Sequence, residues 1–496
     1  MNASASPPKG PDSGHSTGTH DIGPIIEGHP PGFRLRRGRN WFMLGLTYAS
    51  YYLCRYNLQI VAPELKAALG FSNTQYGAIQ AGRNGAYAIG QFVNGLFTDR
   101  LGGKQAMTIG AIGTVVLNLL FGIVSWSKIG WLFFALLIIR AVDGYVQAFG
   151  APGFIKINTA WFRRKERGTF SGIFGAMINL GQTGVGQLAG LLATGFSIPL
   201  IFFTITAPPL NWRYMFFVPP VVILIVIVVM NLLVKNHPEE AGYRLVHDEE
   251  EAGDDPGQSL GMGEVFRKIT ANPVVWIVAG AYFCTGFVRA AIYDWWAIYY
   301  KEAWNITRQN STGFFTLMAA WALPVLATLG SLAAGAISDK LMRGRRAPVA
   351  AVLYFVQFVC IVLAILMSQH LLYASATMAT VLVLGIHTGC NATHSILGSA
   401  AAMDLGGRKM AGFASGVIDS FQYFGAMLAG FGLGTLLDYS GIPVAPAVTQ
   451  PGTVSALTKV INPTVWFASM LPWGLLGTVL MVYVWRRYGA SGKAGT

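Results

Sequence analysis

From Trp41 onward the chain is apolar for about twenty residues at a time, and it does this twelve times. About twenty apolar residues are what a helix needs to cross a bilayer. Within hydrocarbon every backbone N–H and C=O must be satisfied inside the segment, so runs of this length and kind can only be helices. The runs start near Trp41, Tyr76, Gln105, Gly130, Gly168, Met215, Pro273, Ser311, Ala347, Leu371, Ala411 and Thr464. The fifth continues past Gly195 to Thr206, and the fourth overlaps its loop near Lys156. Composition agrees. The chain is 53% hydrophobic and 11% charged, whereas a soluble domain carries about 25% charged residues. The expected fold class is an all-α membrane protein with twelve transmembrane helices.

Charge fixes the expected orientation. Lys and Arg concentrate in the cytoplasmic loops of membrane proteins. With the N-terminus inside, 24 of the 35 Lys and Arg residues fall on the cytoplasmic side. Six fall outside (Lys66, Lys128, Arg213, Lys301, Arg308, Lys459) and five lie within or near the spans (Arg55, Arg83, Arg140, Lys156, Arg289). Both termini are therefore expected in the cytoplasm of a multi-pass protein of the plasma (inner) membrane. The net charge of +13 follows this alternation of loops, so it points to the lipid bilayer as partner and not to nucleic acid. Residues 1–40 are rich in Pro, Gly, Ser and His and have no apolar core, which predicts a disordered cytoplasmic tail. Residues 236–272 carry the acidic run Asp248–Glu251 and read as a cytoplasmic linker between an N-terminal half, 41–235, and a C-terminal half, 273–487; residues 488–496 form a second short cytoplasmic tail. The four cysteines lie in apolar runs without metal-ligand spacing and read as small core residues. No metal and no cofactor are expected. No nucleotide-binding Gly-x-x-x-x-Gly-Lys-Ser/Thr loop occurs.

The halves repeat one another. Gly90–Arg100 (GQFVNGLFTDR) aligns with Gly330–Lys340 (GSLAAGAISDK) at a constant offset of 240. Ser171, Gly172 and Gly181 echo Ser415, Gly416 and Gly425 at an offset of 244. Parallel repeats imply a pseudo-two-fold axis along the membrane normal. The twice-repeated pattern Gly95, Asp99, Arg100 and Gly335, Asp339, Lys340 resembles the loop motif of the major facilitator superfamily. The resemblance implies two pseudo-symmetric six-helix halves. It also implies a conformational role for the motif: the glycine lets helices approach, and the carboxylate pairs with basic groups across the halves.

Two arginines sit where a charge is costly. Arg55 is 14 residues past Trp41 and Arg289 is 16 past Pro273, which at about 1.5 Å per residue is roughly 21 and 24 Å into their runs. A guanidinium at such depth costs about 2.5–3.5 kcal/mol on insertion scales. Each must face a cavity, a partner or a ligand. A structural pair with a carboxylate such as Asp294 or Asp419 is one reading; a shared anion site is the other. On ideal helices Arg289, Tyr293 and Trp296 share a face, as do Tyr52, Arg55 and Gln59. Arg83 either lines the cavity or pairs. Arg140 and Asp143 are close enough to satisfy each other. His387 and His394 read as polar core groups.

Four stretches sharpen the resemblance: Tyr51–Asn57; Gly144, Gln147, Gly150 and Pro152; Trp161-Phe162 with Lys165–Gly168; and Arg289–Trp295 with Lys301-Glu302. Together they resemble the organophosphate:phosphate antiporter family, the glycerol-3-phosphate and sugar-phosphate transporters, over residues 41–487. The resemblance implies that Arg55 and Arg289 bind the substrate phosphate, and that Tyr52, Gln59, Arg83, Gln147, Tyr293 and Trp296 line the substrate cavity. It implies a non-enzymatic secondary transporter exchanging a phosphate ester for inorganic phosphate by alternating access, sufficient as a monomer. Two positions depart from the family: Gln91 stands where bacterial members carry a lysine, and Ile178 where glycerol-phosphate carriers have a histidine. Two other readings stay open, a proton-coupled exporter of small organic molecules using Arg140, Asp143 and Asp419, and a transporter-like sugar-phosphate sensor.

Overall fold

The computed structural model describes residues 31–162, 164–199, 204–243, 267, 271–342, 345–443 and 459–488. They form twelve helical columns. In the first half these are α1 (Phe33–Arg55) continued by α2 (Asn57–Ile60) and α3 (Ala62–Leu69), α4 (Asn73–Leu101), α5 (Gly103–Val124), α6 (Leu132–Gln147) with α7 (Gly150–Trp161), α8 (Arg164–Thr194) and α9 (Val218–Leu233). In the second they are α10 (Pro273–Tyr293) with α11 (Trp296–Trp304), α12 (Thr312–Thr316) leading through a π turn into α13 (Leu323–Ala336), α14 (Arg346–Ser368), α15 (Ala376–Ser395), α16 (Ala402–Ser440) and α17 (Pro463–Tyr488). Seven of the helical stretches among the described residues are long and apolar enough by composition alone to cross a membrane. The rest are broken or carry the polar residues discussed below.

Local chemistry sets the ends. Ser72 and Gln75 form a reciprocal capping box that starts α4. Asn272 caps α10, whose first residue is Pro273. The sequence reading needs two corrections here. Residues 33–40 are not tail but the first turns of α1: Phe33 is buried, Arg36 donates to the Leu233 carbonyl at 2.9 Å, and Asn40 bonds Lys235 in both directions. Their side chains thus satisfy the carbonyls that end α9. The tail proper, residues 1–30, most of the linker and residues 489–496 lie outside the described residues. Second, the fifth apolar run does not stay helical. After Gly195 it turns into a small antiparallel pair, β1 (Phe196–Pro199) and β2 (Thr204–Ala207).

The repeat has a packing meaning. A Cβ on Gly181 of α8 would lie 2.2 Å from the Ala49 carbonyl of α1, and one on Gly425 of α16 would lie 2.1 Å from the Phe283 carbonyl of α10. The echoed glycines let the fifth column of each half touch the backbone of its first. The halves meet chiefly along α4 and α16, whose backbones close at Gly77 and Gly430.

Candidate functional site

Both arginine-bearing columns break close to their arginine, the first directly after Arg55 and the second about one turn past Arg289. α1 ends at Arg55 with Tyr56 outside helical geometry, and α10 ends at Tyr293 with a two-residue interruption before α11. A broken span frees backbone carbonyls that must find donors. At the first break Arg140 supplies them: its Nη1 donates to the Cys54 carbonyl at 3.1 Å and its Nη2 to the Arg55 carbonyl at 2.8 Å. Asp143 holds Arg140 at 2.7 Å. The pair is thus satisfied internally, as its spacing suggested, and it also anchors the end of α1.

Arg55 is buried. Its Nε donates to Gln147 Oε1 at 3.0 Å, and Gln147 Nε2 donates to both Asp143 oxygens, at 2.9 and 3.0 Å. Its guanidinium lies 4.6 Å from the ring centres of both Tyr52 and Tyr87, a cation–π sandwich. Its Nη2 has no protein partner. Arg289 donates from Nε to Asn391 Oδ1 at 3.2 Å and from Nη2 to the Tyr56 hydroxyl at 3.4 Å, and it lies 5.2 Å from the Tyr293 ring. Among the described residues neither arginine forms an ion pair. The structural-pair reading fails in detail: Asp294 accepts from Gln59 Nε2 and Gln80 Nε2 at 3.1 and 3.0 Å, and Asp419 lies within electrostatic reach of both arginines without an ion pair to either.

Tyrosines connect the two cations. Tyr52 stacks on Tyr56 at 5.6 Å between ring centres, and Tyr56 meets Tyr293 across the halves at 5.2 Å. Two small cavities flank this wall, about 20 and 30 Å³ over the positions a water centre can occupy. One is lined by Gln59, Gln182, Tyr293 and Trp296, the other by Gln59, Arg83, Arg289, Tyr293, Asp294 and Gln422. The structure therefore brings Gln59, Arg83, Arg289, Tyr293 and Trp296 to the cavities. Arg55, Tyr52 and Gln147 lie one layer of rings away, behind Tyr56 and the Tyr87–Tyr423 pair, whose centres are 4.4 Å apart. Sequence reasoning missed Tyr56 as the bridge, and it missed Tyr87, Tyr423, Gln182 and Asn391; their aromatic or amide character inside apolar runs was the available signal. His387 belongs to the wall: its Nε2 lies 2.9 Å from the Leu323 carbonyl and 3.5 Å from the Tyr293 hydroxyl.

One end of the molecule is shut. Glu64 of α3 pairs with Arg308 at 3.1 Å, Lys66 pairs with Glu302 of α11 at 3.0 Å, and Asp438 of α16 accepts from the Asn73 and Thr74 amides at 2.9 and 2.7 Å. Among the described residues, the hydrogen bonds joining the halves all lie between the arginine level and this end. The loop motif sits at the opposite end. Among the described residues, a Cβ on Gly95 or Gly335 would meet nothing within 4 Å, so neither glycine makes a close approach to them in this conformation. Asp339 pairs with Arg346 of its own half at 2.5 Å. Arg100 and Lys340 are exposed, and the side chain of Asp99 lies outside what is described.

Comparison with known proteins agrees with this architecture. The sequence pattern of the Major Facilitator Superfamily matches residues 44–430. The chain is 27% identical over 440 residues to "Membrane sensor protein UhpC" of Escherichia coli (strain K12), covering 87% of this chain and 93% of that protein. It is 27% identical over 390 residues to "Glycerol-3-phosphate transporter" of Bacillus subtilis (strain 168), covering 77% and 81%. Among solved structures, a bacterial homolog of the human lysosomal transporter Spinster, inward-facing and unoccupied, superposes with a TM-score of 0.67 at 16% identity over 94% of this chain and 98% of that one. The chain belongs to the major facilitator superfamily, a membrane transporter of two six-helix halves and not an enzyme, and the relatives it resembles are those of the organophosphate:phosphate antiporter family.

Proposed function

We propose that the protein exchanges an organic phosphate ester, glycerol 3-phosphate or a sugar phosphate, for inorganic phosphate by alternating access between its halves. The observation that carries this reading is a pair of guanidiniums without ion pairs among the described residues, Arg55 buried and Arg289 partly buried, one on each half, joined by a wall of tyrosines. A phosphate monoester is close to dianionic at neutral pH. Two planar, permanently charged forks match its oxygens. With no anion between them, the two cations are left desolvated as the halves close; a bound phosphate offsets that cost and lets the halves rock. Either phosphate species can do this, which is the physical basis of exchange. The tyrosines and glutamines around the cations suit hydroxyls on the ester. In this reading Gly95–Arg100 and Gly335–Lys340 face the cytoplasm of a plasma-membrane monomer, the Glu64–Arg308 end faces outward, and the conformation is closed to the outside.

The test is counterflow of labelled phosphate in proteoliposomes containing the purified protein. Arg55→Lys and Arg289→Lys each replace a fork by a point charge, and each is expected to lower exchange at least about ten-fold. Unimpaired exchange in either variant would overturn the assignment. The exporter reading loses ground because Asp143 is already held by Arg140 and Gln147. A sensing role is the second reading, favoured by the similarity to a protein named as a membrane sensor. It predicts phosphate-ester binding without flux.

A further inference from the structure

A third guanidinium shares the cavity with Arg289. Arg83 on α4 is only 7% exposed, yet the cavity of about 30 Å³ is lined by it together with Arg289, Asn84, Asp294 and Gln422. Its Nη2 donates to Asn84 Oδ1 at 2.7 Å, while Nε and Nη1 have no protein partner. Asp294 lines the same cavity and lies within electrostatic reach. However, its Oδ1 already accepts from two glutamines, and no ion pair with Arg83 forms. Arg83 is fixed from behind as well: a Cβ on Gly144 of α6 would lie 2.3 Å from the Arg83 carbonyl, so α4 and α6 are locked at that level.

A buried cation with two orphaned donor nitrogens costs stability unless an anion satisfies it. The substrate phosphate is assigned to Arg55 and Arg289, so a second acid is what remains for Arg83 to bind. We infer that Arg83 is a specificity-determining residue, and that it receives a carboxylate carried on the organic end of the phosphate ester. This rests on the reading of Arg55 and Arg289 as the phosphate site. The protein then favours phosphorylated hydroxy acids over phosphorylated polyols. A carboxylate accepts a charge-assisted hydrogen bond from either free nitrogen and neutralises the buried cation, which a hydroxyl cannot do.

The decisive comparison uses two esters of one carbon skeleton. 3-Phosphoglycerate and glycerol 3-phosphate differ only in a carboxylate in place of a hydroxymethyl group. Each is titrated against labelled phosphate uptake in proteoliposomes, and the ratio of their half-inhibitory concentrations is read within each variant. In the wild type 3-phosphoglycerate is expected to compete about ten-fold better or more, the size of one hydrogen bond between charged groups. Arg83→Gln brings the ratio close to one, and Arg83→Lys, which keeps the charge without the fork, falls between. Because the ratio is internal to each variant, a lower yield of one protein does not affect it, and Arg83→Lys alone suffices should Arg83→Gln not fold. A wild-type preference for glycerol 3-phosphate, or the same ratio in wild type and both variants, overturns the role of Arg83 while leaving the phosphate site standing. Should uptake be absent, the same ratio is read by competition against binding of labelled phosphate to the purified protein, and absence of binding as well overturns the phosphate site and this inference with it.

Discussion

At the scale of single residues, the arrangement turns on which charges are matched inside the protein and which are not. Arg140 and Asp143 are matched, and their pairing does structural work, since Arg140 also holds the carbonyls of Cys54 and Arg55. Removing one partner of a buried pair leaves the other uncompensated, at about 3–5 kcal/mol. Asp143→Asn is therefore expected to lower the unfolding temperature of the purified protein in detergent markedly. The paired change Arg140→Gln with Asp143→Asn is expected to recover part of that loss, because no lone charge remains. Equal thermal stability of wild type and Asp143→Asn would show that the end of α1 is held by something else. Arg55 and Arg289 were legible as anomalies because a charge deep in an apolar run has few explanations. Their neighbours were not. Tyr56 adjoins Arg55 in sequence, but its hydroxyl serves the arginine of the other half, and nothing in a one-dimensional pattern encodes a contact across 233 positions.

At the scale of the helix, the repeat was legible and its two parts proved unequal. The glycines at 181 and 425 were visible only as an echo at constant offset. Their meaning is three-dimensional: each admits a neighbouring backbone where no side chain fits. Gly425→Val is expected to abolish accumulation of folded protein, measured by monodisperse elution in detergent, because the obstruction is the Phe283 backbone, which cannot step aside. Gly335→Ala meets open space and is expected to change stability by less than about 0.5 kcal/mol. Loss of transport in Gly335→Ala with stability retained would place the close approach of that glycine in the opposite conformation. The broken helices at Tyr56 and Asp294 were beyond sequence reasoning. Neither break follows a Pro or Gly; each is sustained by tertiary donors and packing, and propensity carries no record of those.

At the scale of the whole molecule, the fold was legible because hydrocarbon leaves a chain few options. The conformational state was not, because it depends on small differences between contacts at the two ends. The shut end is held by Glu64–Arg308 and Lys66–Glu302, with Lys66 also donating to Asn73 and the second Glu302 oxygen accepting from the Ile461 amide. The side chains of Lys66 and Glu302 are 4% and 6% exposed, so breaking the pair leaves a buried charge whose penalty exists only while this end is closed. Opening returns the charge to water and removes the penalty. Glu302→Gln should therefore shift the population toward the form open at this end, and a shift of 1.4 kcal/mol is already about ten-fold in that equilibrium. The measurement is labelling of a cysteine placed at Gln59 by a membrane-impermeant thiol reagent, with the four native cysteines replaced by alanine or serine. Glu302→Gln is expected to speed labelling several-fold. The exchanged pair Lys66→Glu with Glu302→Lys restores opposite charges at the same positions and is expected to slow it again. Labelling that is equally slow in all three proteins would mean that α4 and α16 alone hold this end shut, with the ion pairs contributing nothing to the choice of state.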